Sequence, residues 1–85
     1  MRINEKFSIQ VLNEHRVIID NQSGKVCGEV DFGEIQMFLW DWARAKEITK
    51  QEMLNEILKK FEISTVLALG EIDTFIKKLK EYGIN

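Results

Sequence analysis

One histidine and one cysteine are the strongest candidates for chemistry in this sequence, and each stands alone. His15 lies among turn-forming residues, without a second histidine or a cysteine at metal-ligand spacing. Cys27 lies between Val26 and Gly28, without a neighbouring base that would form the reactive thiolate. We therefore interpret His15 as a surface residue and Cys27 as a small apolar filler of a strand.

The glycines and carboxylates also lack a catalytic pattern. No glycine-rich loop follows a strand and opens a helix with Lys and Ser or Thr, so a phosphate-binding loop is not predicted. Glu29, Asp31 and Glu34 cluster at the predicted start of a helix, where the helix dipole favours negative charge. The sequence predicts a protein that is not an enzyme, with no catalytic residue, no metal site and no cofactor.

Length and composition limit the class of protein. A chain of 85 residues is one small domain, and the expected domain spans residues 1–85. A net charge of −2 gives no long-range attraction to phosphate backbones, so nucleic acid is a disfavoured partner. A single cysteine favours a reducing, cytoplasmic location. No apolar run approaches the roughly 18 residues of a transmembrane helix, so no membrane partner is expected.

Three short strands are predicted in the first third of the chain. Phe7 to Leu12 alternates apolar and polar residues, and Arg16 to Asp20 is rich in β-branched residues. Lys25 to Val30 follows a turn that ends at Gly24. Short turns between consecutive strands are typical of an antiparallel meander. The third strand comes last, so one of its edges has no predicted partner.

The first helix is predicted to begin after the N-cap Asp31 and to end near Ala45. Its apolar face comprises Ile35, Phe38, Leu39 and Trp42. Trp40 is about 200° around the helix from Trp42, on another face. We expect one of the two indoles to be partly exposed, either packed under the N-terminal arm or available to a partner protein.

Two further helices complete the predicted fold. Thr49 and Glu52 fit a capping box at the start of the second helix, and Ser64 is a plausible cap for the third, which Gly83 ends. The apolar stripe of the second helix is Met53, Leu54, Ile57, Leu58 and Phe61, and that of the third is Ala68, Ile72, Phe75 and Leu79. This order predicts an α+β fold, a three-stranded antiparallel β-meander followed by three helices that cover one face.

Several segments resemble the PqqD-like proteins, small peptide-binding domains also called RiPP recognition elements. The segments are VIIDNQSGKV, Val30-Asp31, IQMFLW, ITKQEMLNEILKKF and EIDTFIKKLKEYGI, in the order and with the separations of that family. They span most of the chain from Arg16 onward. Additional residues before Thr49 depart from the family's pattern, and Gly28 and Glu29 suggest a bulge. The resemblance implies a winged-helix-like, PqqD-like fold.

The resemblance also implies a function. Such a protein is a non-catalytic chaperone that binds the leader of a ribosomally synthesised precursor peptide. It presents the leader to a modifying enzyme, either a radical-SAM protein or a lasso-type leader protease. The leader would add as a strand to the free edge formed by Lys25, Val26, Cys27, Gly28, Glu29 and Val30. The third helix would supply the other wall through Leu69, Asp73, Ile76 and Lys80, with Lys77 as a secondary candidate.

Other functions stay open at this point. A winged-helix DNA-binding transcriptional regulator has a similar order of elements, but the second helix lacks the Arg or Asn/Gln cluster that reads base edges. A structural subunit without a peptide ligand is a third hypothesis. An unprotected edge strand can also pair with that of a second copy, so a homodimer through the third strand is a further possibility.

Overall fold

The computed structural model describes residues 1–44 and 46–84 and contains the six predicted elements in the predicted order. The strands are β1 (Phe7–Leu12), β2 (His15–Asp20) and β3 (Val26–Glu29). The helices are α1 (Glu34–Ala43), α2 (Lys50–Lys60) and α3 (Thr65–Glu81). The predicted α+β class, a three-stranded antiparallel meander followed by three helices, is confirmed. Ala45, the predicted end of the first helix, lies outside the described residues.

The sheet has the order β1-β2-β3, so β1 and β3 are its two edges. The β1–β2 register is regular from Phe7↔Asp20 to Leu12↔His15. Between β2 and β3 the register changes, because Ile18 pairs with Gly28 whereas Ile19 pairs with Val26. Cys27 is therefore an extra residue on β3, which makes a β-bulge beside Gly28.

The caps of α2 and α3 agree with the sequence, whereas that of α1 does not. Thr49 and Glu52 form the predicted capping box, and the Ser64 hydroxyl accepts the Leu67 N–H at 3.2 Å. The N-cap of α1 is Gly33, without a side-chain cap, so the prediction of Asp31 is wrong. The helix begins later because the intervening Phe32 is drawn into the core, where it is 1 % exposed.

The core lies between one face of the sheet and the three helices. Its buried apolar residues are Ile3, Ile18, Val30, Phe32, Leu39, Trp40, Ala43, Ile48, Met53, Ile57, Ala68, Ile72, Phe75, Leu79 and Ile84. The predicted core stripe of α3 is confirmed in full, whereas Leu58 of the α2 stripe is exposed. The chain also buries Ile3 of its N-terminal segment, where Met1 and Asn4 make backbone hydrogen bonds with Ile48 and Ile84.

One of the two indoles is partly exposed, as predicted, but the prediction of which one is wrong, and so is the prediction of Cys27 as a filler. Trp40 is buried and Trp42 is only half-buried, because α1 turns its Gln36, Leu39, Trp40 and Ala43 face inward. The Lys46 ammonium lies 4.9 Å from the centroid of the Trp42 ring, which covers part of the indole. Cys27 is exposed and is therefore not a filler of the core, because the bulge places it at the open edge.

Candidate functional site

The outer edge of β3 carries free backbone groups on both sides of its bulge. The Val30 N–H donates to the Arg16 carbonyl at 2.9 Å, so the Glu29 carbonyl, in the same planar peptide, points away from β2. The Lys25 carbonyl accepts the Asp20 N–H at 2.9 Å, so the Val26 N–H also points outward. No strand lies beyond β3 among the described residues. The edge thus offers a donor and an acceptor to an extended chain.

Gly28 leaves its side-chain position empty beside this edge, on the helix-covered face of the sheet. Gly28 pairs directly with the buried Ile18, and directly opposed residues share a face, so the missing side chain of Gly28 belongs to the core side. A Cβ atom placed on Gly28 would meet nothing within 4 Å. Val30, two residues further along the same face, is buried. This face of β3 is therefore open at Gly28, whereas its neighbours Ile18 and Val30 are covered by the core.

Two cations hold the segment that follows β3. The Lys78 ammonium of α3 donates to the Asp31 carbonyl and, at 3.1 Å, to Gln36 Oε1, and it lies 5.8 Å from the centroid of the Phe32 ring. From β2, Arg16 Nη1 donates to the Phe32 carbonyl at 2.7 Å. These bonds fix the end of β3 relative to α3, and so fix the width of the space between them.

A buried amide extends this network to α1. Gln36 is the one buried polar side chain of the described residues, and its Nε2 atom donates to Glu71 Oε2 at 3.1 Å. Both functions of the amide are therefore satisfied, one by Glu71 and one by Lys78, which avoids the cost of a buried unpaired group. Sequence reasoning missed Arg16, Gln36 and Lys78 as supports, because no local pattern links residues so far apart in the chain.

The predicted wall on α3 faces a different neighbour. The Asp73 carboxylate pairs with the Lys50 ammonium of α2 at 2.7 Å, whereas Lys78 contacts the segment after β3. Asp73 and Lys78 are five positions apart in the sequence, so they lie about 140° apart around α3. Leu69, Ile76 and Lys80 fall on the side of Asp73 by the same geometry. The structure therefore turns the expected stripe toward α2.

The side of α3 that adjoins the end of β3 carries other residues. It comprises Leu67, Glu71, Thr74 and Lys78, spaced so that they form one face of the helix. Lys77, the secondary candidate, is exposed between the two sides. Leu67 is 62 % exposed, which leaves a large apolar side chain open on this face. The apolar stripe in the sequence predicts which side of α3 is buried. It does not predict which of the two flanks beside that side lies next to the sheet.

An exposed side-chain contact lies at the same end of β3, on the opposite face of the sheet. His15 Nδ1 and Glu29 Oε1 are 2.6 Å apart, on the face of the sheet that the helices leave open. Both side chains are well exposed, as the interpretation of His15 as a surface residue requires.

Within residues 1–44 and 46–84, no three His, Cys, Asp or Glu side chains are grouped to hold a metal ion. No helix there is long and apolar enough to cross a membrane.

A concavity of the described surface lies away from β3. It has a volume of about 380 Å³ and is bounded by Arg2, Ile3, Asn4 and Glu5, and none of the β3 residues lines it. Charged and amide side chains surround it without a nucleophile or a metal-ligand cluster. Addition of a strand uses an open edge and a shallow groove, so the absence of β3 from this concavity does not argue against the β3 edge as a site.

Two solved structures are similar to the chain over almost its whole length, whereas no protein-family model and no curated protein matches it. One is TbiB1 in complex with the TbiA(beta) leader peptide, at 13 % identity and a TM-score of 0.67, covering 99 % of this chain and 93 % of that one. The other is lasso peptide synthetase B1 complexed with the leader peptide, at 16 % identity and a TM-score of 0.65, covering 98 % and 93 %. The predicted PqqD-like fold is confirmed.

Proposed function

We propose that the chain is a non-catalytic protein that binds the leader of a precursor peptide as a strand beside β3 and presents it to a separate modifying enzyme. The free β3 edge, with the Val26 N–H and the Glu29 carbonyl pointing outward, is the observation that carries this proposal. The full-length likeness to two proteins solved with leader peptides supports it. Main-chain hydrogen bonds would supply affinity, and the groove beside them would supply specificity.

The proposed contacts follow the geometry of the edge. On the sheet they are Lys25, Val26, Cys27, Gly28, Glu29 and Val30, of which Val26 and Glu29 turn backbone groups outward. On α3 the favoured contacts are Thr74, Lys77 and Lys78, since this flank adjoins the end of β3. Leu69, Asp73, Ile76 and Lys80 would contact a peptide only where it crosses α3 toward α2.

The partner enzyme we favour is a lasso-type leader protease rather than a radical-SAM protein. The support is that one similar structure is a lasso peptide synthetase component bound to a leader. In such an arrangement the chain holds the leader and the separate enzyme cuts it. Adding the chain to the purified protease should accelerate cleavage of the intact precursor and leave a precursor without its leader unaffected. Equal acceleration of both substrates would contradict leader presentation.

The DNA-binding alternative has less support. The exposed side of α3 mixes Asp73 and Glu81 with Lys77 and Lys80, so it is not a uniformly basic surface. The net charge of −2 adds no long-range attraction to a duplex. A cytoplasmic location belongs to the peptide-binding proposal, since an exposed free thiol such as Cys27 suits a reducing compartment.

Titration of the isotope-labelled protein tests the proposal. The first step is to seek a short precursor gene beside the gene for this chain. Its synthetic leader is then the probe, and the readout is the amide resonances. We expect the largest shifts at Val26 to Glu29 and at Thr74 to Lys78. Duplex DNA added to a second sample is the control and should shift none of them. Shifts confined to α2, or seen only with DNA, would overturn the proposal.

A further inference from the structure

We infer that Glu29 selects a basic residue at one position of the bound peptide and that His15 weakens this selection when it is protonated. The inference rests on the proposed function and adds a charge requirement to it. It starts from the contact in which Glu29 Oε1 lies 2.6 Å from His15 Nδ1. Both side chains are 63 % exposed, on the face of the sheet that the helices leave open.

The backbone of Glu29 places a peptide residue beside its carboxylate. The next residue, Val30, donates to Arg16 of β2, so both backbone groups of Glu29 point outward by the alternation of an antiparallel ladder. A peptide residue opposite Glu29 would therefore form a hydrogen-bonded pair with it. Directly opposed residues share a face, with Cβ atoms roughly 4.5–5.5 Å apart, so that peptide side chain would lie next to the carboxylate.

The surroundings of Glu29 favour a cation at this place. Within the part of the chain that the structure describes, His15 is the side chain that forms an ion pair with Glu29. Lys78 lies on the helix-covered side, and the exposed Glu14 and Asp31, next to the pair along the chain, are acidic. A carboxylate so placed favours Lys or Arg opposite it and disfavours Asp or Glu. The remaining side chains on the open face of the two neighbouring strands are uncharged: Val17 and Ile19 of β2, and Ser8, Gln10 and Leu12 of β1.

The charge of His15 makes the selection depend on pH. With His15 neutral, the pair keeps the negative charge of the Glu29 carboxylate, whereas a protonated imidazole neutralises it. Histidine changes its charge between about pH 5 and pH 8. The imidazolium and a peptide cation would compete for one carboxylate. The preference for a basic peptide residue should therefore be largest at the upper end of this range and smallest at the lower end.

A charge scan of a bound peptide tests the inference. The probe is a peptide selected from a phage-displayed random library on the wild-type protein, then synthesised with Lys and with Glu at each position in turn. Titration calorimetry at about pH 8, where His15 is neutral, compares the two affinities at each position for the wild type, Glu29→Lys and Glu14→Lys. Glu14→Lys makes the same charge change at the same end of the sheet, outside the strands, and is the matched control. Both sites are exposed, so both variants should fold, as the amide spectrum will show.

On the wild-type protein we expect Lys to bind more tightly than Glu by about threefold to tenfold at one position. Glu29→Lys should reverse the order at that position, whereas Glu14→Lys should change all positions alike. At about pH 5.5 the preference should decrease in the wild type and persist in His15→Gln.

The possible failures are distinguishable. An unchanged preference at every position in folded Glu29→Lys would overturn the selection by Glu29 while leaving peptide binding intact. An equal preference at the two pH values in the wild type would overturn the role of His15. A wild-type protein that enriches no peptide would overturn the proposed function as well.

Discussion

The two edges of the sheet differ in what surrounds them more than in the backbone groups that they leave free. On β1 the Phe7 carbonyl accepts a hydrogen bond from Arg44 Nη2 at 2.6 Å, and the side chains of Phe7 and Ile9 pack against the core. On β3 the corresponding face has Gly28 and an open space. The β1 edge is thus covered by side chains on its core face and held by Arg44, whereas the β3 edge is open at Gly28.

The supports of the two edges differ as well. Every residue from Gln10 to Arg16 is exposed, so the end of the β1–β2 hairpin extends as a ribbon beyond the helices. The end of β3 is instead held by Lys78 and Arg16 through the carbonyls of Asp31 and Phe32. The β3 edge is thus a fixed surface, and a peptide that adds there has less disorder to remove.

Removing the aromatic support of β3 should have the largest effect. Phe32 is buried against Phe75 with ring centroids 5.5 Å apart, so Phe32→Ala should lower the free energy of unfolding by about 3–5 kcal/mol. Phe7→Ala beside β1 is the matched control and should cost clearly less, because Phe7 is only half-buried. Urea unfolding followed by circular dichroism measures both. Equal losses of unfolding free energy in the two variants would show that Phe32 and Phe7 stabilise the two edges of the sheet equally.

The second largest loss of stability is expected from breaking the hydrogen-bond network at the end of β3. Lys78→Met removes the bonds to Asp31 and Gln36 and leaves a buried amide oxygen unpaired, so it should cost about 1–3 kcal/mol of unfolding free energy. Lys77→Met changes the same residue type one position away, at an exposed site, and should stay within about 0.5 kcal/mol. Urea unfolding measures the loss of unfolding free energy in both variants. A similar loss in both would show that the network does not stabilise the fold.

Substitutions in the turns that lead into β2 and β3 should change stability in opposite directions. Gly24, before β3, has φ of 73°, so Gly24→Ala should lower the free energy of unfolding by about 1–2 kcal/mol. Glu14, before β2, has φ of 69° without being glycine, so Glu14→Gly should raise it by about 0.5–1 kcal/mol. Thermal unfolding measures both. A loss of stability in Glu14→Gly would contradict the left-handed turn.

Blocking one outward donor on each edge compares the edges as peptide sites. Val26 and Val11 are both exposed valines on edge strands, and the N–H of each points away from β2. Val26→Pro should weaken leader binding by about threefold to tenfold, as expected for one main-chain hydrogen bond. Val11→Pro should leave it unchanged. Titration calorimetry gives both affinities, and a larger loss in Val11→Pro would assign the peptide to β1.

Lowering the pH should destabilise the turn before β3. The Gln22 N–H, above all, and also the Ser23 N–H and the Lys6 ammonium hold the pKa of the Asp20 carboxyl below its ordinary 3.8. Because the folded pKa is the lower one, the stabilisation is present above 3.8 and is lost as the pH falls below it. Urea unfolding between about pH 5 and pH 2 should show a weaker pH dependence in Asp20→Asn. Asp41→Asn, an exposed carboxylate of α1, is the control and should retain the wild-type slope.

Local signals in the sequence were sufficient for the elements. The alternation in β1, the capping box at Thr49 and the apolar stripe of α3 each predicted what the structure contains. Gly83 ends α3 in a Schellman motif, in which the Ile84 N–H donates to the Leu79 carbonyl and the Gly83 N–H to that of Lys80. In each case the deciding interaction joins residues close together in the chain.

The predictions that depended on distant contacts were less successful. The inward rotation of Trp40 and the later start of α1 both follow from the placement of Phe32 in the core, and no periodic pattern contains that information. The same holds for the flank of α3 that adjoins β3, which Lys78 reveals only through its contact with Asp31. The open edge of β3 was predictable, because it follows from the order of the strands.

The bulge at Cys27 has a consequence for aggregation. A flat, regular edge strand is a template on which further copies of a protein can stack without limit. Two β3 strands brought together antiparallel would place their extra residues at different points, so the ladder between them would be interrupted twice. Under the proposed function the edge would admit a short flexible peptide, which adjusts to one interruption, whereas the bulge disfavours the endless pairing of rigid copies that leads to fibrils.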